Sequence, residues 1–164
     1  MVDSYSKWPE VVKMTTTASM QTVDVLGAVF SRNGLPATIV SGNGPQFTSR
    51  EFEDFLSANG IQHIKTTPYH PSSNGLAERF VQTFKQAMKC SKNEAGGVNK
   101  KLANFLLAYG STQHCTTNET PAKFMMGMEL RTKMDLLRPN VELHVKQKQQ
   151  QMCAQRSSPP REFE

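Results

Sequence analysis

The segment IVSGNGPQFTS, residues 39–49, most constrains the fold, because it joins a strand to a helix through a tight polar turn. Ile39 and Val40 are β-branched and favour a buried strand, whereas Gly42 to Pro45 are turn formers. Thr48 to Glu51 has the spacing of a helical capping box. A loop that follows a strand is a usual place for chemistry in α/β folds, yet Gly42 at the strand tip has no side chain.

Strand and helix signals alternate along the chain, which predicts an α/β domain. Apolar spacing in the longest helix predicts a buried stripe of Ala77, Phe80, Val81, Phe84 and Met88, beside a polar stripe of Glu78, Gln82, Lys85 and Lys89. The predicted strands are Val2 to Tyr5, 8–14, Ile39-Val40 and 61–67, and the predicted helices are 15–30 (capped by Thr15 to Thr17), 49–58, 76–89, one through Leu102 to Tyr109 and one starting at Thr120-Pro121.

The pattern changes near Pro139. Residues 1–139 are predicted to form one domain, incomplete at its N-terminal strand, because the chain opens abruptly in a strand-like stretch. Residues 140–164 are rich in Lys, Gln and Ser and poor in large apolar side chains. They are predicted to be a poorly ordered polar linker or tail.

Composition limits the function classes. The formal net charge is +5 over 164 residues, which fits either contact with an anionic nucleic acid or ordinary solubility. Three widely spaced cysteines, Cys90, Cys115 and Cys153, indicate neither a disulfide framework nor a zinc ribbon. There is no apolar run near 18 residues and no signal sequence, so we expect a soluble intracellular protein with no membrane partner. No feature predicts a small-molecule substrate.

Three stretches carry a resemblance to a known family: DSYSKWPEV, NGLPATIVSGNGPQFTSREFEDFLSANGIQHIKTTPYHPSSNGLAERFVQTFK and TTNETPAKFMMGMELRT. They resemble the catalytic core of retroviral-type integrases, specifically those of gypsy-type LTR retrotransposons and genes derived from them. The likeness runs from about Asp3 to Pro139. It implies an RNase H-like mixed sheet flanked by helices, here apparently truncated at the N-terminal strand, and a nuclear location.

The resemblance also implies a site. The family uses an Asp, a second Asp, 35 intervening residues and a Glu to hold two Mg²⁺ or Mn²⁺ ions about 4 Å apart for phosphodiester chemistry. The Glu falls on Glu78, and because 78 − 42 − 1 = 35, the second Asp falls on Gly42. The first Asp would precede Met1, since Asp3 matches a common but non-catalytic position. Asn43 is neutral and is expected to point to the other face, so it is a poor replacement ligand.

Four further residues are candidate nucleic-acid contacts. By resemblance, Asn74, Gln82, Lys85 and Lys89 approach DNA. The alternatives are that Gln82, Lys85 and Lys89 form only a solvated helix face, and that Asn74 is only a helix N-cap, a role compatible with DNA contact. The four histidines lack metal-ligand spacing.

We therefore hypothesise a transposon-derived integrase core that binds nucleic acid but is a pseudoenzyme, since one carboxylate cannot hold two metal ions well. Mg²⁺ or Mn²⁺ is the cofactor that the resemblance implies, and DNA and a second copy of the chain are the implied partners. Two alternatives remain: a protein-interaction module derived from the core, or a decayed remnant without function. Gly110 and Gln113 depart from the family pattern and suggest relaxed constraint.

Overall fold

The computed structural model describes residues 1–66, 74–93, 96–137 and 141–154. It divides into one unit of Met1–Leu130 and a second that begins at Arg131. The strands are β1 (Thr38–Ser41) and β2 (Gln62–Lys65), and the helices are α1 (Ser19–Asn33), α2 (Pro45–Thr48), α3 (Arg50–Ala58), α4 (Gly75–Cys90), α5 (Val98–Ser111), α6 (Pro121–Met126) and α7 (Val141–Ala154), with 3-10 turns at Ser91–Asn93 and Lys133–Leu137.

β1 and β2 form a parallel pair, with Thr38 opposite Gln62 and Ser41 opposite Lys65. The carbonyl of Ala37 accepts from the amide of Gln62 at 3.0 Å, and that of Ser41 accepts from Thr66 at 2.9 Å. A parallel pair needs a long crossover, and α2 with α3 supplies it. Both predicted strands are confirmed, although position 67, the predicted end of the second, lies outside the described residues.

One hydrophobic cluster lies between α1, α3 and the strands. The ring of Phe30 stacks on Phe55 with centroids 6.0 Å apart, and Phe47 meets Phe52 edge to face at 5.5 Å. The spacing of apolar residues predicts that α1 and α3 each turn one stripe to this cluster, and from Val23 onward in α1 and from Phe52 onward in α3 they do. Met20, predicted in the α1 stripe, is exposed instead. Its buried members are Val29, Phe30, Phe52, Leu56 and Ile61.

A second, aromatic cluster joins α4 and α5. Phe80 is buried and lies 5.1 Å from Tyr109 and 6.0 Å from Phe105, centroid to centroid. The predicted buried stripe of α4 is wrong at Val81, which is exposed. The contact with α5 is made at Phe80 and Phe84, so the helix face that contains Val81 is left in solvent.

The N-terminal strands predicted at 2–5 and 8–14 are wrong. The structure holds a single antiparallel bridge there, between Val2 and Pro9, and a turn at residues 4–6. Asp3 bonds locally to Ser6, and such side-chain bonds compete with a strand ladder. No further strand among the described residues continues the pairing.

Two helix starts differ from the sequence prediction. α1 begins at Ser19 after Ala18, whose methyl group cannot cap the helix, while the amide and hydroxyl of Thr16 both donate to Oε1 of Gln21. α3 is capped by Ser49 and not by Thr48, since the Ser49 hydroxyl accepts from the amide of Phe52 at 3.3 Å. The predicted cap of α6 is confirmed, because the hydroxyl of Thr120 accepts from the amide of Lys123.

The second unit contains α7, where the sequence predicts no ordered element. Its residues are mostly good helix formers, such as Leu, Lys, Gln and Met, so local propensity alone favours a helix. From residue 143 onward its side chains are exposed. The predicted boundary at 139 lies outside the described residues. No helix within the described ranges is long and apolar enough to cross a membrane.

Candidate nucleic-acid interface

A groove of about 340 Å³ runs along the first three turns of α4. Residues three or four apart on a helix share a face, and residues of one such face line the groove. Four of the predicted site residues lie in this groove, whereas Lys89 does not, although it lies one turn beyond Lys85 and is exposed. The lining residues are Asn74, Ala77, Glu78, Val81, Gln82 and Lys85.

The polar side chains of the groove suit an anion more than a metal. Asn74 occupies the predicted N-cap position of α4, but its side chain makes no capping hydrogen bond. Lys85 and Gln82 are exposed, and no salt bridge in the described part of the chain involves Lys85. Side-chain amides and an ammonium group are typical donors to phosphate oxygens.

Glu78 is the one acidic residue in the first turn of α4, and it is exposed. Its charge also complements the positive N-terminal end of the helix dipole. Within the described ranges there is no group of three or more His, Cys, Asp or Glu side chains that could hold a metal ion. Mg²⁺ prefers several oxygen ligands in octahedral geometry, so the residues present do not fit a pair of these ions.

Gly42 follows the end of β1 directly. A Cβ atom built at Gly42 would meet no other atom within 4 Å, so the backbone leaves open space at this position. The side chain of the next residue, Asn43, is bound elsewhere, since its Nδ2 donates to the carbonyl of Thr66 at 2.7 Å. Asn43 therefore ties the end of β1 to the end of β2.

A polar pair that the sequence analysis misses lies beside Gly42. The hydroxyl of Ser41 is 2.8 Å from Nε2 of His63 and donates to the carbonyl of Gly42 at 3.0 Å. The His63 ring also contacts Phe52 at 5.2 Å. Burial, helped by the charge of Lys65 and opposed by Glu53, lowers the pKa of His63 below its usual value. The alternation of IQHIK, which puts His63 on the face of Ile61, is the sequence signal for this pair.

The carboxylate of Asp3 stabilises the N-terminal turn. One of its carboxylate oxygens accepts from both the amide and the hydroxyl of Ser6, each at 2.6 Å. Burial opposes ionisation of Asp3, but these bonds outweigh it and hold the pKa below the usual value. The carboxylate of Asp3 is therefore engaged in hydrogen bonds within its own turn.

Comparison with known families shows which family the chain belongs to. Two family models, each described as integrase core domain, match residues 1–71 and 59–113, and together they span more than half of the chain. The chain belongs to the integrase core domain family and is of the retroviral type.

Relatives support the same assignment. The chain is 41% identical over 141 residues to an uncharacterized protein of Caenorhabditis elegans, covering 85% of this chain and 11% of that one. It is 30% identical over 112 residues to the Gag-Pro-Pol polyprotein of squirrel monkey retrovirus, covering 68% of this chain and 6% of the polyprotein. The chain therefore spans only a small part of these relatives.

Solved structures show the fold. A cryo-EM structure of the simian T-cell lymphotropic virus intasome matches with a TM-score of 0.69 and 23% identity, over 80% of this chain and 48% of that one. The catalytic core of HTLV-2 integrase in complex with magnesium, in a trimeric form, matches with a TM-score of 0.63 and 21% identity, over 76% and 80%. The predicted RNase H-like α/β fold is confirmed, with a small sheet and many helices.

Proposed function

We propose that this chain is a transposon-derived, gypsy-type integrase core that binds DNA along the α4 groove and does not catalyse strand transfer. The observation that supports this proposal is the set of polar side chains that line one groove. They are the amides of Asn74 and Gln82, the ammonium group of Lys85 and the single carboxylate of Glu78. Phosphate contacts need such donors, whereas two-metal chemistry needs several carboxylates.

The polar residues along α4 support DNA binding. Asn74, Gln82 and Lys85 lie in one row of the helix, so they can follow a phosphate backbone over three turns. Lys89 extends the row by a further turn. The net charge of +5 favours the approach of a polyanion.

Position 42 supports the absence of catalysis. Gly42 supplies no ligand, Asn43 is bound to Thr66, and Asp3 is bound to Ser6. Of the two carboxylates that the family separates by 35 residues, this sequence keeps only Glu78. We therefore expect no Mg²⁺- or Mn²⁺-dependent nicking or joining of DNA.

DNA binding is tested by fluorescence anisotropy of the full chain with a labelled DNA duplex over a range of salt concentrations. Lys85→Ala should weaken binding and reduce the slope of log affinity against log salt by about 1, the loss expected for one phosphate contact. Lys100→Ala, which removes an exposed lysine from α5, is the matched control and should leave the slope unchanged. Equal effects of both variants would refute a specific role for the groove.

Inactivity is tested with the same duplex and either metal ion. Cleavage or strand transfer by the purified chain that disappears in Glu78→Gln would overturn this half of the proposal while leaving the binding half standing. We also propose a nuclear location and a homodimer, which imaging of a tagged chain and sedimentation equilibrium would test. A related core has been solved in a form described as dimeric.

A further inference from the structure

Four Asn-Gly pairs occur in this sequence, and an asparagine in such a pair can lose its side-chain amide without an enzyme. The backbone nitrogen of the glycine attacks Cγ of the asparagine, and glycine has no Cβ to hinder that approach. In a folded chain, a hydrogen bond that holds the asparagine side chain or the glycine N–H restrains the reaction. The four pairs are Asn33-Gly34, Asn43-Gly44, Asn59-Gly60 and Asn74-Gly75.

The pairs at the C-terminal ends of α1 and α3 carry both restraints. In each pair the asparagine side chain donates a hydrogen bond, and the glycine N–H donates another. Neither group is available for ring closure while the helix end stays folded. The bonds are Asn33 Nδ2 to Glu10 Oε1 at 3.0 Å, Gly34 N to Phe30 O at 2.8 Å, Asn59 Nδ2 to Phe55 O at 2.8 Å and Gly60 N to Ser57 O at 3.0 Å.

The pair at the end of β1 is restrained through its side chain. Nδ2 of Asn43 donates to the carbonyl of Thr66 at 2.7 Å and thereby joins the ends of the two strands. Ring closure would break this bond, because the attacked side chain would have to turn toward its own backbone. We therefore expect Asn43 to react more slowly than an asparagine whose side chain is free.

The fourth pair, Asn74-Gly75, has neither restraint. No hydrogen bond holds the Asn74 side chain within the described ranges. Gly75 is the first residue of α4, where a backbone N–H has no partner inside the helix. A Cβ atom at Gly75 would meet nothing within 4 Å, so the surroundings are open, and both residues are partly exposed to water.

We propose that Asn74 deamidates spontaneously and that this modification gives the α4 groove a second carboxylate. The Gly75 nitrogen forms a bond to Cγ of Asn74 and passes its proton to water or hydroxide. The bond from Cγ to Nδ2 breaks, and ammonia leaves. Water then opens the cyclic imide at either carbonyl, which gives aspartate or isoaspartate. Nothing is oxidised or reduced, and both products carry a negative charge.

The start of α4 favours this reaction electrostatically. The positive end of the helix dipole stabilises the nitrogen of Gly75 as it loses its proton, and it also stabilises the carboxylate that forms. Helix ends fray, which lets the nitrogen reach the side chain of Asn74. Glu78 lies one turn away and opposes the new charge only weakly, because its carboxylate is exposed to solvent.

The effect on DNA binding rests on the proposed function of the groove. An asparagine amide donates to a phosphate oxygen, whereas a carboxylate has no donor and repels the phosphate. The charges of Glu78 and Lys85 offset each other, so a carboxylate at position 74 leaves the groove with a net negative charge. A chain that has aged should therefore bind DNA less tightly than a fresh one.

Peptide mapping by mass spectrometry, with an assay for isoaspartate, tests the modification on the full chain incubated at neutral and mildly alkaline pH. Asn74 should convert about tenfold or more faster than Asn33 and Asn59, which react only after local opening. In urea-unfolded chain the four asparagines should convert at similar rates, because the folded structure no longer distinguishes them. Equal rates at the four sites in the folded chain would overturn the proposal, as would fastest conversion at any site other than Asn74.

Two variants check the chemistry at this pair. Gly75→Ala should slow conversion of Asn74, because the added Cβ hinders attack, and the open space around Gly75 lets the chain fold normally. Asn74→Gln should abolish conversion at this position, since glutamine closes the larger ring slowly. Undiminished conversion of Asn74 in Gly75→Ala would contradict attack by the Gly75 nitrogen.

Fluorescence anisotropy with a labelled DNA duplex tests the effect on binding. Asn74→Asp reproduces one product and should weaken DNA binding about tenfold, the usual effect of losing a hydrogen bond to a charged group. Asn99→Asp is the matched control, since it places the same charge on an exposed residue in the first turn of α5, and it should bind normally. Equal binding by Asn74→Asp and the parent chain would refute the effect on DNA. Failure of the fresh parent chain to bind DNA would instead refute the proposed function, while the peptide map would still decide whether Asn74 is modified.

Discussion

At the scale of single residues, two helical glycines have opposite surroundings. A Cβ atom at Gly110 in α5 would lie 2.9 Å from Cζ3 of Trp8 and 3.3 Å from Cδ1 of Leu130. A Cβ atom at Gly27 in α1 would meet nothing within 4 Å. The ring of Trp8 therefore occupies the space that a side chain at 110 would need. Relaxed constraint, the interpretation drawn from the sequence, stays a prediction for Gly110.

This contrast predicts opposite effects of alanine. Gly110→Ala should lower the free energy of unfolding by about 1 to 3 kcal/mol, because the added methyl group overpacks against Trp8. Gly27→Ala should raise it by about 0.5 to 1 kcal/mol, since alanine is the better helix former. Urea denaturation followed by circular dichroism measures both. Stabilisation by both substitutions would show that the Trp8 ring moves aside at little cost in free energy.

At the scale of elements, the start of α3 depends on which of two neighbouring hydroxyls caps the helix. The sequence favours Thr48 through its capping-box spacing, but the structure uses Ser49. Thr48 ends α2 and donates to the carbonyl of Pro45 at 3.3 Å. Because α2 occupies residues 45–48, the first free N-cap position is 49.

The two hydroxyls can be separated by mutation. Ser49→Ala should cost about 1 kcal/mol of unfolding free energy, because the amide of Phe52 loses its acceptor. Thr48→Ala should change it by less than about 0.5 kcal/mol, as is usual for an exposed position. Thermal unfolding of both variants beside the parent chain measures the difference. A larger loss in Thr48→Ala would support the cap that the sequence favours.

The elements also show which features the sequence could predict. β1, α3 and α4 have strong local signals and are confirmed, and the α4 groove could be anticipated because one helix supplies all of its residues. The strands at 2–5 and 8–14 failed because a strand needs partners, which local patterns do not reveal. The contact between Ser41 and His63 depends on the register of two strands 22 positions apart. Such long-range pairing is not encoded in either segment alone.

At the scale of the whole molecule, the unit Met1–Leu130 contains two hydrophobic clusters, one around Phe52 and one around Phe80. The first cluster borders the polar pair of Ser41 and His63. Protonation of His63 would place a charge beside Phe52 and near Lys65. The stability of this unit should therefore depend on pH.

The sign follows from the lowered pKa of His63 in the folded chain. As the pH falls below about 6.5, the unfolded chain takes up a proton first, so the free energy of unfolding decreases until the folded-state pKa is passed. Urea midpoints measured from about pH 8 down to pH 5 should fall accordingly. His63→Gln should remove this part of the slope. Identical slopes in both proteins would contradict the prediction.

β1, with the sequence Thr-Ile-Val-Ser, contains no charge and no proline, and no strand in the described part of the chain pairs with its outer edge. This has a practical consequence for handling the protein. A flat apolar edge is a template for ordered stacking when molecules crowd together, so concentrated stocks should form fibrils that bind amyloid dyes. Val40→Lys should slow fibril formation in such stocks, whereas Val12→Lys, a substitution outside any strand, should not. Val40→Lys is therefore the variant best suited to crystallisation.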